Sequence, residues 1–115
     1  MKTFYYTFLG EEYQIGFYYD RYVKNGNLYI GMLNTGNPDD PYFADLTINT
    51  IELEPFMAAI DVQYDNNLCQ WLETIGAGKM CHRNVHINFG SYPLFKFDPQ
   101  FLKEVNPERF EVVRM

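Results

Sequence analysis

The chain has 115 residues, of which 47% are apolar and 18% aromatic, and a formal charge of −6. That length fits one domain, spanning residues 1–115, with enough chain to bury a core. No stretch nears the roughly 18 apolar residues of a membrane span, which argues against a membrane protein. Residues 1–76 hold three bases against eleven carboxylates, a balance of −8, and no Lys or Arg lies between Lys24 and Lys79. Direct nucleic-acid binding by that part is not expected, because affinity for phosphates rests on basic side chains.

The N-terminus, MKTFYYTFLGEEYQ, lacks the long apolar stretch and small-residue cleavage site of a signal peptide, so the cytoplasm is the expected compartment. Cys69 and Cys81 are then expected as free thiols. Residues 3–9 predict a strand with Phe4, Tyr6 and Phe8 on one face, followed by a turn at Gly10-Glu11-Glu12. Tyr13, Ile15, Phe17 and Tyr19 alternate through a second strand, with Gly16 as a weak spot or bulge. Tyr5 and Tyr18 fall on the opposite faces. A sheet covered on both sides accounts for them; a partner-binding face is the sharper alternative.

Residues 26–49 dominate the reading. Asn25-Gly26 is a tight-turn signal. Leu28, Ile30 and Met32 alternate with Asn27, Tyr29 and Gly31, and the row Tyr42, Ala44, Leu46, Ile48 alternates with Phe43, Asp45, Thr47 and Asn49. The run NTGNPDDP between them predicts an irregular, exposed hairpin tip. Residues 56–64, FMAAIDVQY, follow Pro55 and predict another strand. Asp65-Asn-Asn then offers a cap for a short helix whose Leu68, Trp71, Leu72 and Ile75 share one face, closed by Gly76 or Gly78. Val85, Ile87 and Phe89 mark a strand, Gly90-Ser91 a turn, and YPLFKF an extended segment whose Pro93 suits an edge or a strand start. Asp98 and Pro99 start a second helix, Asn106-Pro107 stop it, and residues 110–115 read as a terminal strand. The expected fold is α+β, a mostly antiparallel sheet of about seven strands with two short helices.

Chemistry is harder to find. Cys69, Cys81, His82 and His86 are the only soft-metal candidates, and His82 and His86 would stand about 13 Å apart on an extended strand, too far to share an ion. A buried structural thiol at Cys69 is preferred to a Cys–His nucleophile. Glu52 and Glu54 would lie about 6.6 Å apart on one strand face, a glycosidase-like spacing with no cleft to support it. No phosphate-loop, dinucleotide, zinc-protease or serine-hydrolase motif occurs. The sequence therefore assigns no catalytic residue, no metal and no cofactor. Two readings lead, ahead of a hydrolase or metal protein using Cys81, His82 and His86. One is an interaction domain that meets a protein partner, or a second copy, through the tip 37–42 and through Tyr18, Tyr29 and Tyr42. The other is an acidic nucleic-acid mimic that inhibits a DNA-handling enzyme, its charge carried by Asp39, Asp40, Asp45, Glu52, Glu54, Asp61 and Asp65.

The segments GNLYIGMLNT, PYFADLTIN, AAIDVQYDNN, CQWLETIG and SYPLFKFDPQFL, within residues 24–105, resemble a small bacterial family of domains of unknown function. That family is associated with gut bacteria and mobile elements. The resemblance implies no activity and no catalytic residue. By analogy its mobile-element association adds some weight to the mimic reading. The run CHRNVH has no counterpart in the pattern.

Overall fold

A computed structural model describes residues 1–114. The strands form two antiparallel four-stranded sheets rather than one sheet of about seven. The first runs in chain order through β1 (Phe4–Phe8), β2 (Glu11–Arg21), β3 (Leu28–Asn34) and β4 (Tyr42–Asp45). The second has the order β5-β6-β8-β7, from β5 (Thr47–Ile48), β6 (Met57–Ile60), β7 (Gly78–Ile87) and β8 (Gly90–Phe97). Three helices complete the fold: α1 (Leu68–Thr74), α2 (Pro99–Val105) and α3 (Pro107–Val113).

The alternating rows build the core as period two requires. Ile15, Phe17 and Tyr19 of β2 and Leu28, Ile30 and Met32 of β3 are buried in one cluster with Leu68, Leu72, Phe95, Phe97 and Leu102. All three helices pack on this inner face. Phe101 stacks on Phe4, Trp71 lies against Phe17, and the Tyr19 hydroxyl donates to Leu102 O at 3.0 Å.

The arm expected to run from Tyr42 to Asn49 is cut at Leu46, where the chain leaves one sheet for the other. The Leu46 N–H still donates to Ile30 O, while Thr47 and Ile48 pair with β6. A bulge between Met32 and Leu33 also shifts the phase of β4, so that Phe43 turns inward against Tyr6 and Phe8 and Tyr42 turns out. The first turn is Leu9-Gly10, not Gly10-Glu11-Glu12. Both residues take positive φ, 51° and 79°, and Phe8 faces Glu11 across a two-residue hairpin. Gly16 sits in regular pairing opposite Leu33.

The second sheet is apolar on both faces. Ala58, Ile60, Phe95 and Phe97 enter the main core, while Met57, Ala59, Tyr92 and Leu94 form a smaller cluster on the other side. Pro93 is therefore in a central strand. It is tolerated because β6 pairs only as far as Leu94, leaving Pro93 opposite Asn84 alone. Strand β7 starts earlier than expected, at Gly78, and its register breaks between Met80 and Asn84, with His82 at φ 57°. Its turn is Asn88-Phe89, two residues before the expected Gly90-Ser91, so Phe89 lies in the turn and not in the strand.

Residues 107–113 are helical, not a terminal strand. Asn106-Pro107 repeats the Asp98-Pro99 device: Asp98 Oδ1 accepts from Gln100 N at 2.9 Å, and Asn106 Oδ1 from Arg109 N at 3.2 Å. The helices also close an open edge. β1 pairs no further along β2 than Ile15, so the carbonyls of Phe17 and Tyr19 lose a strand partner there. Asn106 Nδ2 donates to Phe17 O at 2.8 Å, and Arg109 Nε to Tyr19 O at 2.9 Å. Arg21 reaches back to the Val112, Val113 and Arg114 carbonyls, where the end of α3 leaves acceptors unpaired.

Candidate functional site

With every helix on the inner side, the outer face of the first sheet carries Tyr5, Thr7, Gln14, Tyr18, Asp20, Tyr29, Leu33, Tyr42 and Asp45. Their cross-strand neighbours fix the arrangement: Tyr18 faces Gly31, Gly31 faces Asp45, Asp20 faces Tyr29 and Leu33 faces Tyr42. The covered-sheet expectation fails here. Tyr5 is 65% exposed, Tyr42 59% and Tyr18 37%. Tyr18, Tyr29 and Tyr42, named from sequence as candidate contact residues, share this one face.

Gly31 makes the centre flat. A Cβ there would stand 2.6 Å from the Tyr29 hydroxyl, so only glycine lets that ring lie across β3 to Asp45. The Tyr29 hydroxyl donates to Asp45 Oδ1 at 2.6 Å, and Tyr22 meets the Tyr29 ring edge-on at 5.6 Å. Burial, then the hydrogen bond to Asp45, push the Tyr29 hydroxyl pKa well above its ordinary value. Tyr42 is raised by burial and by Asp45, and Tyr64 by burial and then by Asp61 and Asp65. Asp45 acts on the hydroxyls of Tyr22, Tyr29, Tyr42 and Tyr64, and Asp61 on those of Tyr22, Tyr42 and Tyr64. Tyr18 differs: the Arg109 guanidinium lies 4.1 Å over its ring and pairs with Asp20 at 3.6 Å.

The seven acids do not form one row. Asp39 and Asp40 are exposed on the tip loop, as expected for residues 34–41. Asp45, Asp61 and Asp65 surround the tyrosines, Asp65 also accepting from the Tyr6 hydroxyl and from Asn67 N. Glu52 and Glu54 lie elsewhere, on a cleft of about 240 Å³ lined also by Arg21, Asn25 and Asn27. Glu54 accepts from Lys96 Nζ at 2.8 Å, and Lys96 holds its carboxyl below the usual range. Among the described residues no base forms an ion pair with Asp39, Asp40, Asp45, Asp61 or Asp65.

Cys69 is buried and its thiol is pushed up to about 11, chiefly by burial, which makes it a poor nucleophile. Among the described residues no three His, Cys, Asp or Glu side chains converge as metal ligands. No helix among them is long and apolar enough to cross a membrane.

Sequence reading missed the open groove between β1 and the start of α1. It measures about 430 Å³ and runs past Tyr5, Tyr6, Phe8, Leu9, Tyr64, Asp65 and Trp71. Its one visible signal is the single Trp of the chain, six residues beyond Asp65, which the sequence offers as part of a helix cap and as one of the candidate acids.

Fold and face together describe a small α+β domain of two antiparallel sheets and three short helices, with one sheet face left open and rich in tyrosine. The model of the family described as "Domain of unknown function (DUF4313)" matches residues 18–115, and the chain belongs to that family. The matched span begins within β2 and includes Tyr18, Tyr29, Tyr42 and all seven candidate acids. No curated protein and no solved structure matches the chain.

Proposed function

We propose that this chain is a single, non-catalytic interaction domain of the cytoplasm that engages a protein partner through the open face of its first sheet. The observation that carries the reading is the gathering of Tyr5, Tyr18, Tyr29 and Tyr42 on one face against which no helix packs, only the Arg109 side chain of α3 reaching round onto Tyr18. Tyrosine suits such a role because its ring supplies apolar contact at little entropy cost and its hydroxyl hydrogen-bonds at the rim. Asp45 and Asp61 bias the partner towards basic side chains. The bacterial, mobile-element setting implied by the family resemblance is part of this proposal.

The test is site-specific photocrosslinking in the native host. A photoreactive residue at Tyr18 or Tyr42 is expected to trap the same discrete protein, and one at Glu108, exposed on α3, is not. Equal trapping from all three positions, or none from the two tyrosines, would overturn the reading. Trapping of a second copy would make the domain a homodimer.

The mimic reading keeps one supporting observation, the five aspartates that form no ion pair among the described residues. It requires the trapped partner to be a nucleic-acid enzyme, with affinity falling at least about tenfold between roughly 50 and 200 mM salt.

A further inference from the structure

Strand β1 is an edge of the first sheet, and the alternation of its backbone shows which groups are open. In an antiparallel pair the N–H and C=O of every second residue face the partner strand, and the others face outward. The Phe17 and Tyr19 carbonyls point to the β1 side of β2, because Asn106 and Arg109 take them where β1 has ended. The odd residues of β2 therefore face β1, and their partners Phe4 and Tyr6 face β2 in return. Tyr5 and Thr7 face outward. The Trp71 indole N–H confirms this by donating to Tyr5 O at 2.9 Å from across the groove. The N–H and C=O of Thr7 stand next along the same edge, where no backbone group among the described residues bonds to them.

That edge forms one wall of the groove beside α1. Its floor is aromatic: Tyr6 and Trp71 are 4.7 Å apart and Phe8 and Tyr64 5.8 Å apart, ring centre to ring centre. Its charge has one sign. Asp65 lies on the far side, Glu12 faces Thr7 and Glu11 faces Phe8 across the hairpin, and no Lys or Arg lines the groove. At its lip Leu9 is 86% exposed and held at φ 51°, a conformation that costs a leucine energy and here gains no burial. An open main-chain edge, an aromatic floor and an unneutralised acidic rim together suit one kind of occupant.

We infer that the groove between β1 and α1 binds an extended peptide segment of a partner protein, apolar on one face and basic on the other, which adds as a short strand against Thr7. Main-chain pairing with Thr7 fixes the direction and register of the segment. Its alternate apolar side chains lie on the inner side against Phe8, Tyr64 and Trp71, and its Lys or Arg side chains, on the outer side with Thr7, reach across to Glu12. The inference deepens the interaction reading by naming a partner chemistry. It uses β1, outside the family-matched span, together with the α1 region inside it.

Trp71 is the only tryptophan and lies in the groove, so its fluorescence reports occupancy directly. The probes are an eight-residue peptide of alternating valine and lysine, blocked at both ends, and its valine–glutamate counterpart. The lysine peptide is expected to shift Trp71 emission, slow amide exchange at Thr7, and bind at least tenfold more tightly than the glutamate peptide. N-methylation of alternate residues of the lysine peptide leaves the protein intact and is expected to abolish binding. Glu12→Gln, at an exposed position opposite Thr7, is expected to weaken binding at least threefold. Equal binding of the N-methylated or glutamate peptide, or no Trp71 response to the lysine peptide at millimolar concentration, would overturn the inference. Crosslinking from Tyr18 and Tyr42 would still succeed if only this groove assignment were wrong.

Discussion

Asn106 offers the most direct test of how the helices secure the first sheet. It is 7% exposed and acts in two directions at once. Its Nδ2 satisfies Phe17 O at the edge that β1 leaves open, and its Oδ1 caps α3 through Arg109 N. Asn106→Ala removes both. Loss of the cap costs about 1 kcal/mol. The buried Phe17 carbonyl left without a donor costs about 1–3 kcal/mol more. The expected destabilisation is therefore about 2–4 kcal/mol. Unfolding entropy of about 2.1 cal/mol/K per residue over 115 residues makes each kcal/mol worth about 4 °C, so Tm should fall by about 8–16 °C. Asn106→Asp separates the two roles, because it keeps the capping oxygen but sets a carboxylate against the Phe17 carbonyl. Thermal melts followed by circular dichroism, with urea titrations to show an unchanged m-value, measure both. A fall of less than about 2 °C for Asn106→Ala would refute the claim that this side chain stands in for a missing strand.

Three further outcomes follow from the same geometry. Burial raises the pKa of Tyr6, Tyr19, Tyr29 and Tyr64 above the unfolded value, so the folded state holds their protons longer than the unfolded chain. Their contribution to stability is then intact below about pH 10 and is lost as pH rises through the folded values; tyrosinate absorbance should rise together with loss of circular dichroism, and independent early titration of all ten tyrosines would contradict this. Leu9→Asn places a residue tolerant of positive φ at the first turn position and should raise stability by about 1 kcal/mol while weakening the lysine peptide, read by urea denaturation and Trp71 fluorescence. Gly78→Ala would put a Cβ 2.0 Å from the Lys96 carbonyl of the paired strand, which cannot move aside, and should cost at least about 3 kcal/mol or prevent soluble expression.

The parts of the fold that sequence made legible are those decided locally. Ile15, Phe17 and Tyr19, and Leu28, Ile30 and Met32, are buried because period two puts each row on one face whatever the sheet becomes. Leu68 and Leu72 follow from helical spacing, and α2 from Asp98-Pro99. What failed was decided at a distance. Tyr42 to Ile48 alternates without a break, and alternation does not say which strand lies alongside. Only the pairing of Thr47 with Ile60 and of Asp45 with Gly31 reveals two sheets. Residues 110–113 carry two valines and a phenylalanine, a strand-like composition. Tertiary context overrides it: Asn106 caps the segment, Val113 is buried, Phe110 stacks on Phe56, and Arg21 takes the last carbonyls.

The candidate surface shows the same division. Tyr18, Tyr29 and Tyr42 could be named from sequence, but their sharing an uncovered face depends on all three helices choosing the other side, a choice written in Phe101, Trp71 and Leu102 rather than in the tyrosines. The acids carry the converse lesson. An unbroken run without Lys or Arg from residue 25 to residue 78 is a statement about the chain, and the field around a folded protein is a statement about space. The fold brings Lys96, far along the sequence, onto Glu54, while Arg21 lines the same cleft; it leaves Asp45, Asp61 and Asp65 among tyrosines with no base paired to them. Electrostatic recognition would therefore concentrate at the tyrosine side and at the β1 groove that adjoins it through Tyr64 and Asp65. A partner chosen by charge should meet both at once, its basic strand in the groove and its remaining contact on the rings.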